Sequence, residues 1–135
     1  MNPADVVQQM PEKNDRPAIQ DLVIASLRDL PTVYDDVTRN AVIADIEARK
    51  AIGLVKYGTL LQAFNGRDAL VDAYQEALDL TQYLRQAVEE GQTELADSFE
   101  GALDMALDLR YLIWVRDRDK NTAAPSPAGP SGLRT

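Results

Sequence analysis

The sequence predicts an all-α protein: a four-helix unit with short connections, assembled as a dimer or higher oligomer. Apolar residues recur at three- and four-residue spacing through most of the 135-residue chain. No segment shows the convincing alternation of apolar and polar residues that a half-buried strand requires. Proline and glycine turn signals separate the periodic segments. Together these observations are typical of a helical bundle.

The first half of the chain contains two predicted helices. The first spans about Ala18 to Leu30 and is ended by Pro31, which lacks the backbone N–H that a helix interior needs. The second runs from about Val33 to Lys56, with Thr32 as its predicted N-cap. A connection with the sequence YGTLLQAFNG follows and ends in the turn pair Asn-Gly.

The second half contains two more predicted helices. Asp68 is a good N-cap for the third, which spans Ala69 to about Glu90. Gly91 ends this helix, and Thr93 is the predicted cap of the fourth, which continues to about Arg118.

The chain divides into three segments by composition. Residues 1–17 are predicted to be irregular, and residues 18–119 form the all-α domain. Residues 120–135 are rich in proline, glycine, serine and alanine, bury almost nothing, and are predicted to be a disordered tail. The length suits one domain with a real core.

Composition excludes several functions. Cysteine and histidine are absent, which removes disulfides, thiolate nucleophiles, zinc sites and imidazole acid–base chemistry. The formal net charge of −8 disfavours binding to nucleic-acid phosphates. Because neither a signal peptide nor an apolar run of transmembrane length is recognisable, we expect a cytoplasmic protein without membrane contact.

An acidic stripe marks the third predicted helix. In the run DAYQEALD, Asp72, Glu76 and Asp79 follow one another at helical spacing and project within about 60° of one another, with Tyr83 on the same side. Apolar residues occupy both flanks of this stripe, which is unusual for a surface helix. Two interpretations stay open: the carboxylates are solvated, or they face a groove and hold a cation.

Basic residues bracket the connection that leads to this stripe. Lys56 stands at the end of the second predicted helix, where the helix dipole favours a cation regardless of function. Arg67 follows the turn pair Asn65-Gly66 and could be a solvated loop residue. Acidic and basic groups around one cleft are also what a metal-bound polyphosphate needs.

The stretch KYGTLLQAFNGRDALVDAYQEALDLTQYLRQ resembles phage-type MazG-like proteins of the all-α nucleoside triphosphate pyrophosphatase superfamily, over about Val33 to Glu90. The superfamily motif is EExxE on one helix followed by ExxD on the next. Glu76 and Asp79 match ExxD. In the first half, IADIE, only Glu47 matches, and Asp45 stands at a different position on the opposite helix face.

The resemblance implies a four-helix, oligomeric hydrolase that needs Mg²⁺, with Mn²⁺ as an alternative. It also implies cleavage of a (d)NTP or related nucleotide to monophosphate and pyrophosphate, in the host cytoplasm if the protein is phage-encoded. Glu76 and Asp79 are the expected catalytic residues and metal ligands, and Asp72 and Glu47 are further candidate ligands. The expected nucleotide or phosphate contacts are Lys56, Arg67, Asn65 and Tyr83.

The incomplete first motif motivates an alternative function. The chain could keep the helical nucleotide pocket without hydrolysis, as a nucleotide-binding protein or one that sequesters a nucleotide signal. A third interpretation is a structural helical oligomer whose acidic stripes are solvated.

Overall fold

A computed structural model describes residues 2–123, and their regular structure is helical. Four α-helices follow one another, and a short 3₁₀ turn, Thr93–Leu95, precedes the last. The extended backbone in this range amounts to one isolated bridge between Ala18 and Gln62. The predicted all-α class with four helices is therefore confirmed. The helices are α1 (Ile19–Asp29), α2 (Asp36–Tyr57), α3 (Ala69–Glu89) and α4 (Ala96–Ala123).

The chain forms two compact units. Residues 7–67 make up the α1–α2 unit, and residues 2–6 together with 68–123 make up the α3–α4 unit. The second unit is therefore discontinuous in sequence, with the first inserted between its two parts.

The N-terminus of α2 differs from the prediction. Asp35, not Thr32, is the N-cap, and its carboxylate accepts a 2.9 Å hydrogen bond from the backbone N–H of Thr38. That bond also lowers the pKa of Asp35 below its ordinary value. The Thr32 hydroxyl instead accepts from the N–H of Tyr34 in a local turn, because short polar side chains compete for nearby backbone groups.

Polar contacts join α1 to α2. The Arg39 guanidinium donates to the carbonyl oxygens of Leu27 and Arg28, which satisfies groups left open at the end of α1. Lys50 Nζ lies 2.8 Å from an Asp21 carboxylate oxygen. Ile24 is the buried side chain of α1, whereas no residue of α2 is buried. This unit therefore has a small apolar core.

The start of α3 agrees with the prediction. The Asp68 carboxylate accepts hydrogen bonds from the N–H groups of Leu70 and Val71, so Asp68 is the N-cap. Gly91, just after α3, has a φ of 110°, in the region that glycine adopts most easily. The chain then enters the 3₁₀ turn before α4.

The α3–α4 unit is packed mainly along one seam. Val71 and Ile113 are its most deeply buried large side chains, each 1% exposed. Small residues fill the rest of the seam, namely Ala77, Ala102 and Ala106. Small side chains let two helix backbones approach closely, but they bury little apolar area.

The end of α4 lies beyond its predicted position. The helix continues to Ala123, past the expected end at Arg118. The predicted tail thus begins within a helical turn, and its residues 124–135 lie outside the described part of the chain.

The N-terminal residues 2–6 lie against α3. The Gln75 side-chain amide donates to the carbonyl oxygens of Pro3 and Val6, each at 3.0 Å, and Pro3 is buried. Among the helices of residues 2–123, none combines the length and apolar character needed to cross a bilayer.

Candidate functional site

The acidic stripe lies along one side of α3, as predicted. Asp72 is half-buried, Glu76 and Asp79 are exposed, and Tyr83 is 68% exposed. Within residues 2–123, the carboxylates of Glu76 and Asp79 form no hydrogen bond or ion pair. Residues three apart on a helix have Cβ atoms about 5–6 Å apart. The carboxylate oxygens of Glu76 and Asp79 are therefore free to bind a ligand.

A mainly apolar groove runs between α3 and α4, with a volume of about 530 Å³. Of the described residues that line it, Glu76 alone is ionisable. The stripe thus borders an apolar wall on this flank. The wall includes Ala73, Ala77 and Leu80 of α3 and Gly101, Ala102 and Met105 of α4.

Asp79 lines a different hollow, of about 460 Å³, which is formed by α3 and residues 4–6. Asp5 and Gln75 also line it. The sequence reasoning missed Asp5, because a carboxylate in an irregular segment has no periodicity that would place it near α3. Glu76 therefore borders the groove between α3 and α4, and Asp79 borders the hollow formed with residues 4–6, on the two flanks of the acidic stripe.

Metal-binding capacity is limited to carboxylate pairs in the described part of the chain. No cluster of three or more acidic side chains able to hold a metal ion occurs in residues 2–123. Mg²⁺, however, keeps several waters and is commonly held by one or two carboxylates together with substrate phosphates. Binding of a metal ion by Glu76 and Asp79 therefore stays a prediction.

Four other predicted site residues belong to the α1–α2 unit. Glu47 and Lys56 are both exposed on α2, and the helical rise places them about 13 Å apart along its axis. Lys56 Nζ lies 5.1 Å from the centroid of the Tyr57 ring. Within this unit, Glu47 and Lys56 are therefore not brought together.

Asn65 and Arg67 are brought together in the loop between α2 and α3. Asn65 is 5% exposed, and its side-chain oxygen accepts a 3.0 Å hydrogen bond from the N–H of Arg67. Arg67 Nη1 donates to the carbonyl oxygen of Gln9 at 2.7 Å. These contacts hold the loop against the N-terminal part of the unit.

Phe64, in the same loop, is a feature that the sequence reasoning missed. Its φ of 56° lies in the left-handed region, which costs a residue with a Cβ about 1–2 kcal/mol. Its side chain is 81% exposed, and the Arg16 guanidinium lies 4.2 Å from the ring centroid. The Asn-Gly pair correctly signalled a turn, but nothing indicated that phenylalanine would adopt a left-handed conformation.

An ion pair fixes the start of α3. Arg116 Nη1 of α4 lies 2.7 Å from an Asp68 carboxylate oxygen. Burial by itself raises the pKa of Asp68, but the hydrogen bonds from Arg116, Val71 and Leu70 outweigh it and lower that pKa. The same pair raises the pKa of Arg116. Both charges are therefore kept, and α3 is tied to α4 one turn before the acidic stripe.

Comparison of the chain with protein-family models, with curated proteins and with solved structures finds no match.

Proposed function

We propose that the protein is a Mg²⁺-dependent nucleotide pyrophosphohydrolase. It cleaves a (d)NTP or related nucleotide to monophosphate and pyrophosphate, and such a substrate implies a cytoplasmic site of action. The observation that carries the proposal is the pair Glu76 and Asp79: two carboxylates one helical turn apart, both without protein partners in residues 2–123. Their spacing matches the ExxD motif.

The chain's residues bind and orient the substrate in this scheme. Glu76 and Asp79 would hold the metal that comes with the phosphates. Bound Mg²⁺ would neutralise the charge of the phosphates and lower the pKa of the attacking water.

The water oxygen forms a bond to the α-phosphorus, and the bond from that phosphorus to the bridging oxygen breaks. Pyrophosphate leaves with the electron pair of the broken bond. The water proton passes to a carboxylate of the acidic stripe.

The variant Glu76→Gln tests this proposal, because it keeps the size of the side chain and its capacity to form hydrogen bonds but removes its negative charge. Mutation of a residue that only supports a metal ligand typically costs roughly 10- to 100-fold. Because Glu76→Gln alters the ligand itself, we expect kcat for pyrophosphate release to fall by at least that much. The matched control is Glu94→Gln, an exposed glutamate outside the stripe, which should leave the rate unchanged. Equal activity of Glu76→Gln and the unaltered protein would contradict the assignment.

A specific observation favours the non-catalytic alternative. Glu47 is the single matching acid of the first motif, and within its own unit it is exposed on α2, about 13 Å along the helix axis from Lys56. A nucleotide-sequestering protein would be stabilised thermally by nucleotide yet return it intact, with affinity depending on Arg67 and Lys56 more than on Glu76. Product analysis by phosphate chromatography separates the two functions.

We also infer that the protein works as a homo-oligomer, with a second copy seated on the groove between α3 and α4. Leu80 and Met105 line this groove and are 50% and 57% exposed. Beside them, Ala73 and Gly101 form a shallow region, and a Cβ added at Gly101 would meet nothing within 4 Å. The groove is thus open and mainly apolar, and a second copy related by a twofold axis would bury it against the same surface of its partner.

A further inference from the structure

Phe64 combines two unfavourable features in one residue. A left-handed backbone disfavours any side chain with a Cβ, and an 81% exposed phenyl ring gains little from burial. Glycine or asparagine would satisfy the same turn without strain. Backbone strain of this kind persists where surrounding contacts over-determine it, and such positions concentrate at functional sites.

The loop around Phe64 is held rigidly by residues of the N-terminal part of the same unit. The Asn14 side-chain amide donates to the carbonyl oxygens of Ala63 and Phe64, at 2.9 and 3.1 Å. The Gln62 amide donates to the carbonyls of Asn14 and Arg16, at 2.8 and 2.6 Å. The Phe64 ring is therefore presented from a fixed backbone.

The two faces of the ring differ. The Arg16 guanidinium covers one face, 4.2 Å from the centroid. With 81% of the side chain exposed, the other face is open. Within residues 2–123, the Arg16 guanidinium makes no hydrogen bond or ion pair, so its N–H groups remain able to donate to an anionic ligand.

We propose that Phe64 and Arg16 form a stacking platform for the base of a nucleotide. The base stacks on the open face of Phe64, and Arg16 donates hydrogen bonds to phosphate oxygens. The choice of a nucleotide as ligand rests on the proposed function. The platform itself is a property of the α1–α2 unit, and neither residue belongs to the motif that suggested that function.

The size and charge of the platform favour a small planar anion over a macromolecule. One ring and one guanidinium are far smaller than the roughly 1,200–2,000 Å² that a stable protein interface buries. The net charge of −8 disfavours a polyanionic nucleic acid. A base, by contrast, gains substantially from stacking on a single aromatic side chain.

The variant Phe64→Asn tests the platform on the full chain. Asparagine tolerates the left-handed region, so the melting temperature should be unchanged or higher. We expect Kd for α,β-imido nucleoside triphosphates with Mg²⁺, measured by calorimetry, to rise roughly 5- to 150-fold. Kd for inorganic tripolyphosphate, which has no base, should stay the same. Phe64→Tyr, which keeps an aromatic ring, should retain most of the affinity.

Two further variants sharpen the result. Tyr34→Asn removes another exposed aromatic ring of the same unit, 68% exposed, and should leave both Kd values unchanged. Arg16→Gln should weaken nucleotide and tripolyphosphate alike, since it removes a phosphate contact.

The outcomes separate this proposal from the proposed function. If the unaltered protein binds nucleotides and Phe64→Asn binds them equally well, the platform is wrong and the proposed function stands. If Phe64→Asn also weakens the binding of tripolyphosphate, the ring supports the structure of the loop and does not stack on a base. That result overturns the platform. If the unaltered protein binds no nucleotide, both proposals fail.

Discussion

At the scale of single residues, Asp68 performs two tasks with one carboxylate. It caps the N-terminus of α3 through the N–H groups of Leu70 and Val71, and it pairs with Arg116 of α4. The cap is a local interaction that a sequence can reveal. The ion pair joins residues far apart in the chain, and it links α4 to the start of α3.

Substitution can separate these two tasks. Asp68→Ala removes both, and the lost cap alone should lower the free energy of unfolding by about 1–2 kcal/mol. Asp68→Asn keeps a good N-cap but removes the charge that faces Arg116, so a smaller loss is expected. Urea denaturation at neutral pH measures both values. Equal losses in the two variants would contradict a contribution from the cap.

The lowered pKa of Asp68 predicts a pH dependence. Because the folded-state pKa lies below the unfolded value of about 3.9, its stabilising contribution is fully present above that value. It is lost as the pH falls through the folded-state pKa. The stability difference between the unaltered protein and Asp68→Asn should therefore shrink below about pH 4. A difference that stays constant down to pH 2 would show that the charge does not contribute.

Residue-scale prediction from sequence succeeded where a local rule applies and failed where a distant partner decides. Asp68 was predicted as a cap from its residue type and position, and the structure confirms it. The strained conformation of Phe64 depends on Asn14, about fifty positions earlier in the chain, and no local pattern reports that contact. The α3 site residues share one side of the helix, but whether they hold a metal stays a prediction.

At the scale of elements, the connection between α2 and α3 is an ordered loop. Backbone groups of Glu12 and Ile19 donate to the carbonyls of Asn65 and Leu61, both at 2.8 Å. Gly66 closes the turn with a φ of 82°. The loop is therefore part of the α1–α2 unit and not a flexible link.

Gly66→Ala should destabilise this loop for two reasons. Its positive φ is strained for alanine, and an added Cβ would lie 2.5 Å from Gln9 Nε2, so the exposed Gln9 side chain must move and its hydrogen bond to the Gly66 carbonyl is lost. We expect a loss of about 1–2 kcal/mol or more in the free energy of unfolding. Gly58→Ala is the matched control, because Gly58 has a φ of 71° but nothing within 4 Å of its added Cβ. Thermal denaturation compares them, and an equal loss in both would argue against crowding at Gly66.

Helix positions were predicted well, but periodicity alone does not decide which apolar side chains are buried. Of the apolar residues that flank the acidic stripe of α3, Ala77 and Leu80 lie on one side and Val71 lies on the other, and Ala77 is 7% exposed. In the structure Val71 is 1% exposed, whereas Leu80 is 50% exposed and lines the open groove. Periodicity identifies apolar faces, but which face meets a neighbour depends on how the helices are arranged.

At the scale of the whole molecule, much apolar surface remains uncovered. On α2, Ile52 and Val55 are 56% and 88% exposed, and on α4, Leu107 and Trp114 are 68% and 50% exposed. Residues of this kind are normally buried, and extended apolar exposure marks an interaction surface. Leu80 and Met105, which line the groove between α3 and α4, are likewise 50% and 57% exposed, and they support the proposed homo-oligomer.

The groove between α3 and α4 gives this proposal a direct test. Leu80→Asp combined with Met105→Asp should convert the protein to a monomer in analytical ultracentrifugation, because it places charges in an apolar interface. Leu107→Asp, on α4 but outside the groove, serves as the control and should preserve the oligomer. If Leu107→Asp dissociated the oligomer and the double variant did not, the interface would lie at another face of α4 and not at the groove.

Ionic strength provides a second readout of the same interface. Each chain carries a net charge of −8, so copies repel one another and salt screens that repulsion. Association through an apolar groove should therefore tighten as salt rises. The melting temperature should rise with protein concentration as well, since assembly is linked to stability.

The hydrogen bonds from Gln75 to Pro3 and Val6 have a consequence for the order of folding. Residues 3–6 leave the ribosome long before their partner on α3 is synthesised. Closing so long a loop is slow, because the entropy of the intervening chain opposes it. The α1–α2 unit is contained wholly between these ends and can form first. Once this unit has folded, less unfolded chain separates residues 3–6 from α3, and their contact with α3 forms faster.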